Sequence, residues 1–408
     1  MDVDAIFKGE KEYLMQSYLR YPAVLEKGKG VWVWDSQGKK YLDCVGGVAT
    51  VSAGHGNAEV SRAVSQQVKK VTNVTNLYYT KPQVELAKKL AALSGLQKTF
   101  FCNSGTEANE AALKLARAFT GKTDIISCEH AFHGRTFGSL SATWKEKFKK
   151  KFEPLVPGFS FVPYGDAGAI EMAITEKTAA AIIEPIQGEA GVIVPEKGYL
   201  KKVSGICKKH NILLIVDEVQ TGNGRTGKFF CFQHEAIVPD IVTAAKGLGN
   251  GIPIGACIAK KGIDFSAGDH GATFGGNNVS CAAALATIGY IRKHNLMGNA
   301  AKTGDYFKEK LTQLKKKYPF IESVSGMGLM LGMKLKIPGR KITEKCLELG
   351  LLVNCVNRKI TEKCLELGLL VNCVNDVYLR FLPPLVISTK EVDIAVKILD
   401  QAFEAVAE

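Results

Sequence analysis

Short apolar runs alternate with helical patterns between about residues 98 and 260. The runs read KTFFC, DIISC, AAAIIEP, NILLIVDEV and DIVTAAK, and the first of them is followed by the helical pattern TEANEAALKLARAF. Alternating strands and helices are typical of βα units, which build a largely parallel sheet covered on both faces. This part of the chain therefore predicts an α/β domain with a mostly parallel sheet.

After about residue 297 the pattern changes to a smaller α+β section. It ends in an amphipathic segment whose apolar side chains share one helical stripe: Val392, Val396, Leu399, Phe403 and Val406. At 408 residues the chain exceeds the size of a single hydrophobic core. We predict three parts: an N-terminal arm with part of the small domain (1–60), a large domain (61–296) and a C-terminal small domain (297–408).

One segment near the C-terminus is repeated without change. Residues 340–357 read RKITEKCLELGLLVNCVN, and residues 358–375 repeat them. Each copy has a helical pattern, a glycine helix stop and a strand-like run. Two copies are too few for a solenoid, so we interpret the repeat as a tandem duplication, natural or engineered. We expect the second copy to fill the slot beside Arg380 through a turn at Asn375-Asp376, and the first copy to loop out.

Composition is that of a packed globule without a membrane span. Hydrophobic residues make up 46% and charged residues 23% of the chain. No stretch approaches the roughly 20 apolar residues that cross a bilayer, and residues 1–12 lack a signal-peptide core. The eleven cysteines form no CxxC pair and no zinc-ligand spacing. These features predict a cytoplasmic protein with free thiols and no metal site.

The net charge of +13 requires a nucleic-acid hypothesis, because basic excess binds phosphate backbones. The densest basic run is KEKFKKK at residues 145–151, and a solvated loop is its more ordinary interpretation. No other basic stretch has interleaved aromatic residues, which disfavours a nucleic-acid partner. An attraction for anionic metabolites or for an acidic partner protein stays open.

Lys246 stands between a predicted strand and the glycine-rich turn 247–251. The end of such a strand delivers a side chain to the crevice where open α/β sheets bind ligands. The small neighbours Ala244 and Ala245 leave room for a cofactor ring. Partial desolvation would lower the pKa of Lys246 toward the neutral amine that Schiff-base chemistry requires. A solvated surface lysine is the alternative interpretation.

Asp217 closes the apolar run 212–216, at the carboxyl end of another predicted interior strand. Its functional interpretation is a carboxylate paired to the pyridinium nitrogen of a cofactor, which keeps the ring an electron sink. A helix cap is the alternative. Gly105 and Thr106 begin a predicted helix after KTFFC, and a helix start offers free N–H groups to a phosphate. An ordinary N-cap explains that motif equally well.

Four further residues are candidates for contacts with a ring or with an anionic substrate. Phe132 follows the strand DIISC and could stack on an aromatic ring, although a core position is more common for phenylalanine. His133 is a weaker candidate, since a lysine can carry the proton transfers itself. Arg135 and Arg380 could each grip a carboxylate with two parallel hydrogen bonds. Surface ion pairing is the ordinary alternative.

Several long motifs resemble one enzyme family. The segments NSGTEANEAALKLAR, AFHGRT, EPIQGEAGV, VDEVQTGNGRTG, TAAKGLGNGIPIGA and TFGGNNVSCAAA occur in order, and they are similar to class III aminotransferases of the acetylornithine type. The resemblance runs through nearly the whole chain. It implies the fold type I of pyridoxal-phosphate enzymes, with a seven-stranded sheet in the large domain. It also implies a homodimer with active sites at the subunit interface.

The resemblance assigns roles to individual residues. Lys246 would be the catalytic residue, and the cofactor pyridoxal 5'-phosphate would be bound by Gly105, Thr106, Phe132, Asp217, Glu218, Val219, Gln220, Lys246 and, from the other subunit, Thr273. The substrate-binding residues would be Arg135, Glu189, Ala272 and Arg380. Arg135 would hold the donor α-carboxylate, whereas Glu189 would mask Arg380 until 2-oxoglutarate binds. Ala272 departs from the serine common in the family and loses one hydrogen bond.

The implied reaction moves the terminal amine of N2-acetyl-L-ornithine to 2-oxoglutarate. Its products are N-acetyl-L-glutamate 5-semialdehyde and L-glutamate, formed in arginine biosynthesis. Another acylated or carrier-linked diamine is the alternative donor: succinylornithine, succinyl-diaminopimelate or carrier-bound lysine. Two other hypotheses are a basic nucleic-acid-binding protein without enzymatic activity and a catalytically dead variant that still binds cofactor.

Overall fold

The computed structural model describes residues 2–18, 20–337, 346, 351–354, 369–374 and 377–407. Numbered along the chain, the strands are β1 Leu25–Lys29, β2 Trp32–Asp35, β3 Lys40–Asp43, β4 Lys98–Cys102, β5 Asp124–Cys128, β6 Phe159–Val162, β7 Thr178–Ile183, β8 Leu213–Asp217, β9 Ile241–Ala244, β10 Gly255–Ala259, β11 Ile321–Met327, β12 Met330–Leu335, β13 Leu351–Asn354, β14 Leu369–Val374 and β15 Tyr378–Phe381.

The α-helices among these residues are α1 Val3–Tyr13, α2 Gly46–Ala49, α3 Ala58–Val68, α4 Lys81–Ser94, α5 Gly105–Thr120, α6 Phe137–Ser141, α7 Ala167–Met172, α8 Tyr199–Lys209, α9 Asn278–Lys293, α10 Leu296–Lys317 and α11 Thr389–Ala407. Short 3-10 turns lie at Thr75–Leu77, Glu146–Phe148, Lys150–Phe152, Cys231–Glu235 and Lys246–Leu248. None of the helices in the described ranges has the length and apolarity to cross a membrane.

The larger sheet has seven strands in the order β4-β10-β9-β8-β7-β5-β6. Strands β9, β8, β7, β5 and β6 run parallel, whereas β10 is antiparallel to both β9 and β4. The mostly parallel sheet predicted from the alternating pattern is confirmed. Strand β10 was not predicted, because its GACIA sequence has little of the β-branched and aromatic content that marks a strand.

A second sheet joins the two ends of the chain, in the order β1-β2-β3-β14-β15-β12-β11. Strand β14 belongs to the second copy of the repeat and lies between β3 and β15, parallel to the first and antiparallel to the second. The expectation that the second copy's strand lies beside Arg380 is therefore confirmed. The turn expected at residues 375–376 lies outside the described residues.

The expectation that the first copy loops out is wrong for the part of it that the structure describes. Strand β13, from the first copy, pairs in parallel with β14, and Cys346 is helical and buried in the core beneath the second sheet. A strand with the same sequence has the same tendency to pair, and pairing satisfies backbone groups that would otherwise be left open.

Apolar clusters fill both faces of the larger sheet and the space under the second sheet. In α11, which confirms the predicted C-terminal helix, Val392, Leu399 and Phe403 are buried in that second core and Val396 packs partly against it. The burial of Val406, also predicted on this stripe, lies outside what the structure describes. Seven cysteines have free, buried thiols: Cys44, Cys102, Cys128, Cys207, Cys231, Cys257 and Cys281.

The two copies can be distinguished by a matched pair of proline substitutions. Asn372 in β14 is paired with Arg380, whereas the equivalent Asn354 in β13 is paired only with β14. Proline removes a backbone donor and is poorly tolerated in an interior strand. Asn372→Pro should lower the free energy of unfolding by about 1–3 kcal/mol, and Asn354→Pro by less than half as much, in urea denaturation. An equal or larger loss from Asn354→Pro would contradict the assigned strand order.

Candidate active site

Lys246 and Asp217 lie at the carboxyl edge of the larger sheet. Asp217 is the last residue of β8 and is paired with Thr243 of the neighbouring strand β9. Lys246 begins the turn directly after β9, with a φ of +46°. Non-glycine residues rarely adopt this left-handed backbone, and such strain clusters at functional sites. Adjacent strands therefore bring the two residues to one edge, where open α/β sheets bind ligands.

The electrostatic surroundings of Lys246 favour a neutral amine. Burial is the main cause that lowers its pKa, and the positive charge of Arg380 acts in the same direction. The carboxylates of Glu189, Asp217 and Glu184 oppose the shift without cancelling it. A larger fraction of Lys246 than of a solvated lysine is thus unprotonated near neutral pH, as attack on a carbonyl carbon requires.

Asp217 is buried and held by three hydrogen bonds. Its Oδ2 accepts from Asn109 Nδ2 and lies against His133 Nδ1, each at 2.7 Å, and its Oδ1 accepts from the amide of Val219 at 3.0 Å. A carboxylate offers about four acceptor positions, so one stays open. His133 Nε2 is buried without a partner among the described residues. The arrangement fixes a carboxylate that can pair with a cationic ring nitrogen.

The start of α5 forms a cradle for an anion. Ser104 caps the helix by accepting from the Glu107 amide at 3.3 Å, and Glu107 accepts from the amide of Asn103 at 2.6 Å. A Cβ built on Gly105 would lie 2.5 Å from Val219 Cγ1, so the close packing requires glycine. Within the described ranges the amides of Gly105 and Thr106 have no protein acceptor. Free N–H groups at the start of a helix attract phosphate.

The segment after β5 carries both an aromatic ring and a free guanidinium group. The ring of Phe132 meets that of Phe148 edge-on, with centroids 6.2 Å apart. The guanidinium of the exposed Arg135 lies 3.6 Å from the Phe148 centroid and 5.4 Å from that of Phe132. Burial lowers the pKa of Arg135, which nonetheless stays a cation. This end of the site can therefore bind a carboxylate beside an aromatic surface.

Arg380, on β15, closes the opposite side. Its Nη1 donates to Glu189 Oε1 at 2.6 Å, to the Gly188 carbonyl at 3.0 Å and to Gln220 Oε1 at 3.1 Å. Burial alone would raise the pKa of Glu189, but the charges of Arg380 and Lys246 outweigh it and hold the pKa at about 2. Arg380 is buried with its Nε unpartnered among the described residues. An ionised pair thus occupies a position where a substrate carboxylate could compete for the arginine.

Most of the predicted site residues come together, but Glu218 does not. Its Oε2 accepts from the Thr221 hydroxyl at 2.6 Å and its Oε1 accepts from the Phe232 amide at 2.8 Å. Burial raises the pKa of Glu218 to about 7. Successive side chains along a strand point to opposite faces, so Glu218 faces away where Asp217 faces the site. These contacts do not involve the side chains of Lys246 or Asp217, and the assignment of Glu218 to the cofactor stays a prediction.

Three other predicted site residues have side chains or backbone groups that contact parts of the structure other than Lys246 and Asp217. The side chain of Gln220 contacts the Arg380–Glu189 pair. Ala272 and Thr273 lie in a partly exposed segment, where their carbonyl groups accept from Asn76 and Asn73, respectively. Among the described residues of the single chain, Thr273 forms no hydrogen bond with the start of α5. Its contribution from a second subunit stays a prediction.

Two buried residues of the site were missed by the sequence analysis. Asn109 lies inside a helical pattern, where nothing in the sequence distinguishes it from an ordinary surface amide. Glu184 closes the apolar run of β7 as Asp217 closes that of β8, so the same signal could have found it. Among the described residues, no cluster of histidine, cysteine or carboxylate side chains could hold a metal ion.

The chain is similar to known aminotransferases over nearly its whole length. The family model described as Aminotransferase class-III matches residues 13–403. The acetylornithine aminotransferase of Methanocaldococcus jannaschii is 46% identical over 97% of this chain and 96% of its own length. That of Methanosarcina mazei is 46% identical over 98% of this chain and 96% of its own.

Solved structures share the fold. The ornithine aminotransferase of Toxoplasma gondii ME49 has a TM-score of 0.92 at 32% identity, covering 100% of this chain and 96% of that one. The acetylornithine aminotransferase of Elizabethkingia anophelis has a TM-score of 0.85 at 32% identity, covering 99% and 100%. A second Toxoplasma gondii structure is described with partial occupancy of PLP at its active site. The chain therefore belongs to the class-III aminotransferases, pyridoxal-phosphate enzymes of fold type I.

Proposed function

We propose that this enzyme transfers the terminal amino group of N2-acetyl-L-ornithine to 2-oxoglutarate. The products are N-acetyl-L-glutamate 5-semialdehyde and L-glutamate, and the pathway is arginine biosynthesis. Near-full-length relatives at 45–46% identity that bear the name acetylornithine aminotransferase support this substrate. The observation that carries the proposal is the buried Lys246 amine between Asp217 and the Arg380–Glu189 pair.

The residues present fit pyridoxal phosphate. Gly105 and Thr106 offer free amides to a phosphate in a cradle that a Cβ would fill, and Asp217 keeps an acceptor position for a ring nitrogen. Phe132 would lie against the ring, with Val219 on its other side, and Lys246 would hold the aldehyde carbon. When bound, this cofactor supplies an electron-withdrawing ring that stabilises negative charge at a substrate carbon.

Lys246 is the base and acid that moves the substrate proton. Its Nζ would take a proton from the donor carbon that bears the reacting amine. The lowered pKa makes the neutral form available. Lys246 is partly buried, which limits the access of water to its side chain and favours return of the proton to the cofactor side over its loss to solvent. One amine thus serves both directions of transfer.

The two arginines distinguish the two substrates. Arg135 is exposed and free to take the α-carboxylate of the donor, whose terminal amine then extends toward Lys246. Arg380 is paired with Glu189 while the donor is bound, which prevents a second carboxylate from being held there. Arrival of 2-oxoglutarate would open this pair, because a substrate carboxylate can replace Glu189 as the acceptor. Alternate use of one site predicts ping-pong kinetics.

A homodimer with shared active sites is part of the proposal. Large apolar side chains near Thr273 are strongly exposed in the single chain: Leu77 (84%), Tyr79 (102%) and Phe274 (62%). Such a patch is typical of an interface. A second subunit that covered it would bring its own Thr273 segment against this surface. A cytoplasmic location is also proposed, since the described cysteines are free thiols.

Another acylated or carrier-linked diamine is the second candidate donor. The Nζ atoms of Lys145 and Lys147 each lie 5.5 Å from the centroid of the Phe148 ring, which also contacts Arg135. This cluster of positive charge favours a donor that carries an extra negative charge. The family assignment is that of an enzyme, which is at odds with a non-enzymatic nucleic-acid binder.

A panel of donors tests the substrate. In single-turnover mixing without 2-oxoglutarate, N2-acetyl-L-ornithine should discharge the visible cofactor band at least about tenfold faster, per unit concentration, than free L-ornithine, a preference of about 1.4 kcal/mol. Succinylornithine, succinyl-diaminopimelate and a lysine-bearing carrier peptide complete the panel. A faster reaction with any of these would replace the proposed donor, and no reaction with any donor would indicate a dead enzyme.

Arg380→Lys tests the second arginine. Lysine keeps the charge but loses the planar fork that binds a carboxylate through two hydrogen bonds. We expect the KM for 2-oxoglutarate to rise at least about tenfold, while the half-reaction with N2-acetyl-L-ornithine, which serves as the internal control, changes by less than about threefold. An unchanged KM, or equal losses in both half-reactions, would refute the role assigned to Arg380.

A further inference from the structure

Glu184 joins two segments of the site that are distant in sequence. It follows β7 and is buried. Its Oε1 accepts from the amide of Phe132 at 3.0 Å, and its Oε2 accepts from the amide of Gly188 at 3.3 Å. The first segment presents the aromatic ring, and the second presents Glu189. Both donors are backbone N–H groups, so neither can reverse its direction.

We propose that Glu184 is a positioning residue that holds the aromatic wall and the Glu189 segment in register through these two hydrogen bonds, here named the Glu184 bridge. This inference rests on the proposed function, which gives Phe132 and Glu189 their roles. It assigns Glu184 no contact with substrate. Its effect is exerted through the backbone of its two neighbours.

The contacts beyond the bridge extend its influence. The carbonyl of Gly188 accepts from Arg380 Nη1 at 3.0 Å, and the same Nη1 donates to Glu189. A shift of Gly188 would therefore move one acceptor of Arg380 and the segment that carries the other. On the opposite side, the amide of His133, the residue after Phe132, donates to Thr143 Oγ1 at 3.0 Å. Glu184 and Thr143 therefore hold two consecutive backbone amides of the segment that carries the ring. One carboxylate thus connects the ring wall to the arginine that receives the second substrate.

The bridge depends on the ionised carboxylate. Ionised, each oxygen is a full acceptor, whereas a protonated carboxyl keeps one full acceptor and turns the other oxygen into a donor. Burial raises the pKa of Glu184 to about 7, although the electrostatic effect of His133 acts to lower it. The titratable groups that face it from the surrounding elements are His133, Asp217, Lys246, Tyr164 and Cys128. As the pH falls through 7, one hydrogen bond of the bridge should be lost.

Glu184→Gln reproduces this loss without a change of shape. The amide of glutamine has one acceptor and one donor, so either Phe132 or Gly188 would face an N–H group with its own N–H. Glu235 provides a matched control, because it also accepts from two backbone amides, those of Gly198 at 2.9 Å and Lys201 at 2.7 Å. Glu235→Gln should lose one of these hydrogen bonds in the same way. Neither of the segments that it joins carries a residue assigned to the site.

The experiment compares holoenzymes of the wild type and both variants. Cofactor release is measured between pH 6 and 8.5 as the loss of the holoenzyme's visible absorbance after dilution into an excess of an apo-protein that captures the free cofactor. KM and kcat are measured for 2-oxoglutarate. At pH 8 we expect Glu184→Gln to release cofactor about tenfold faster and to raise KM severalfold with kcat within about threefold. Wild-type release should accelerate as the pH falls through 7, and Glu184→Gln should lack this inflection. Glu235→Gln should match the wild type.

Wild-type release and KM in Glu184→Gln, or the same changes in Glu235→Gln, would overturn the proposal. If Glu184→Gln does not fold, the wild-type pH profile decides: acceleration near pH 7 supports the bridge, and a flat profile overturns it. The proposed function is judged separately by the wild-type reaction with N2-acetyl-L-ornithine, so either idea can fail alone.

Discussion

An amine buried at the carboxyl edge of a parallel sheet is the feature on which the rest of this site depends. Burial of Lys246 lowers its pKa, yet nearby carboxylates and Arg380 keep the pocket strongly polar. An isolated buried charge would be costly. The site avoids that cost by pairing: Arg380 with Glu189, and Asp217 with Asn109 and His133. Among the described residues Lys246 has no ion pair that would fix its amine, so the amine stays able to react.

The sheet explains how these groups meet. Strands β7, β8 and β9 are adjacent and parallel, and each ends in a polar residue or leads directly to one. Glu184, Asp217 and Lys246 therefore stand in a row along one edge, although more than 60 residues separate the first from the last. The second sheet adds Arg380 from β15. Because β14 lies directly beside that strand, the duplicated segment is structurally next to Arg380.

Much of the fold and the centre of the site could be predicted from sequence, because strand ends followed by polar residues give a strong local signal. Lys246 and Asp217 were identified in this way. The outward direction of the Glu218 side chain was missed, because adjacency in sequence hides the alternation of side chains along a strand. Asn109 could not be found, since its role depends on a contact made 108 residues away. The pairing of a strand from the first copy with a strand from the second copy could not be predicted either, because the two sequences are identical and only tertiary packing distinguishes them.

The most direct test of the account is the identity of the lysine that holds the cofactor. The holoenzyme is reduced with borohydride, digested and mapped by mass spectrometry. The account predicts that the pyridoxyl mass is carried by the peptide that contains Lys246, close to one label per chain, and that Lys260, which is paired with Asp240, is unlabelled. A label on another lysine, or no stable label in a protein that retains its visible band, would contradict it.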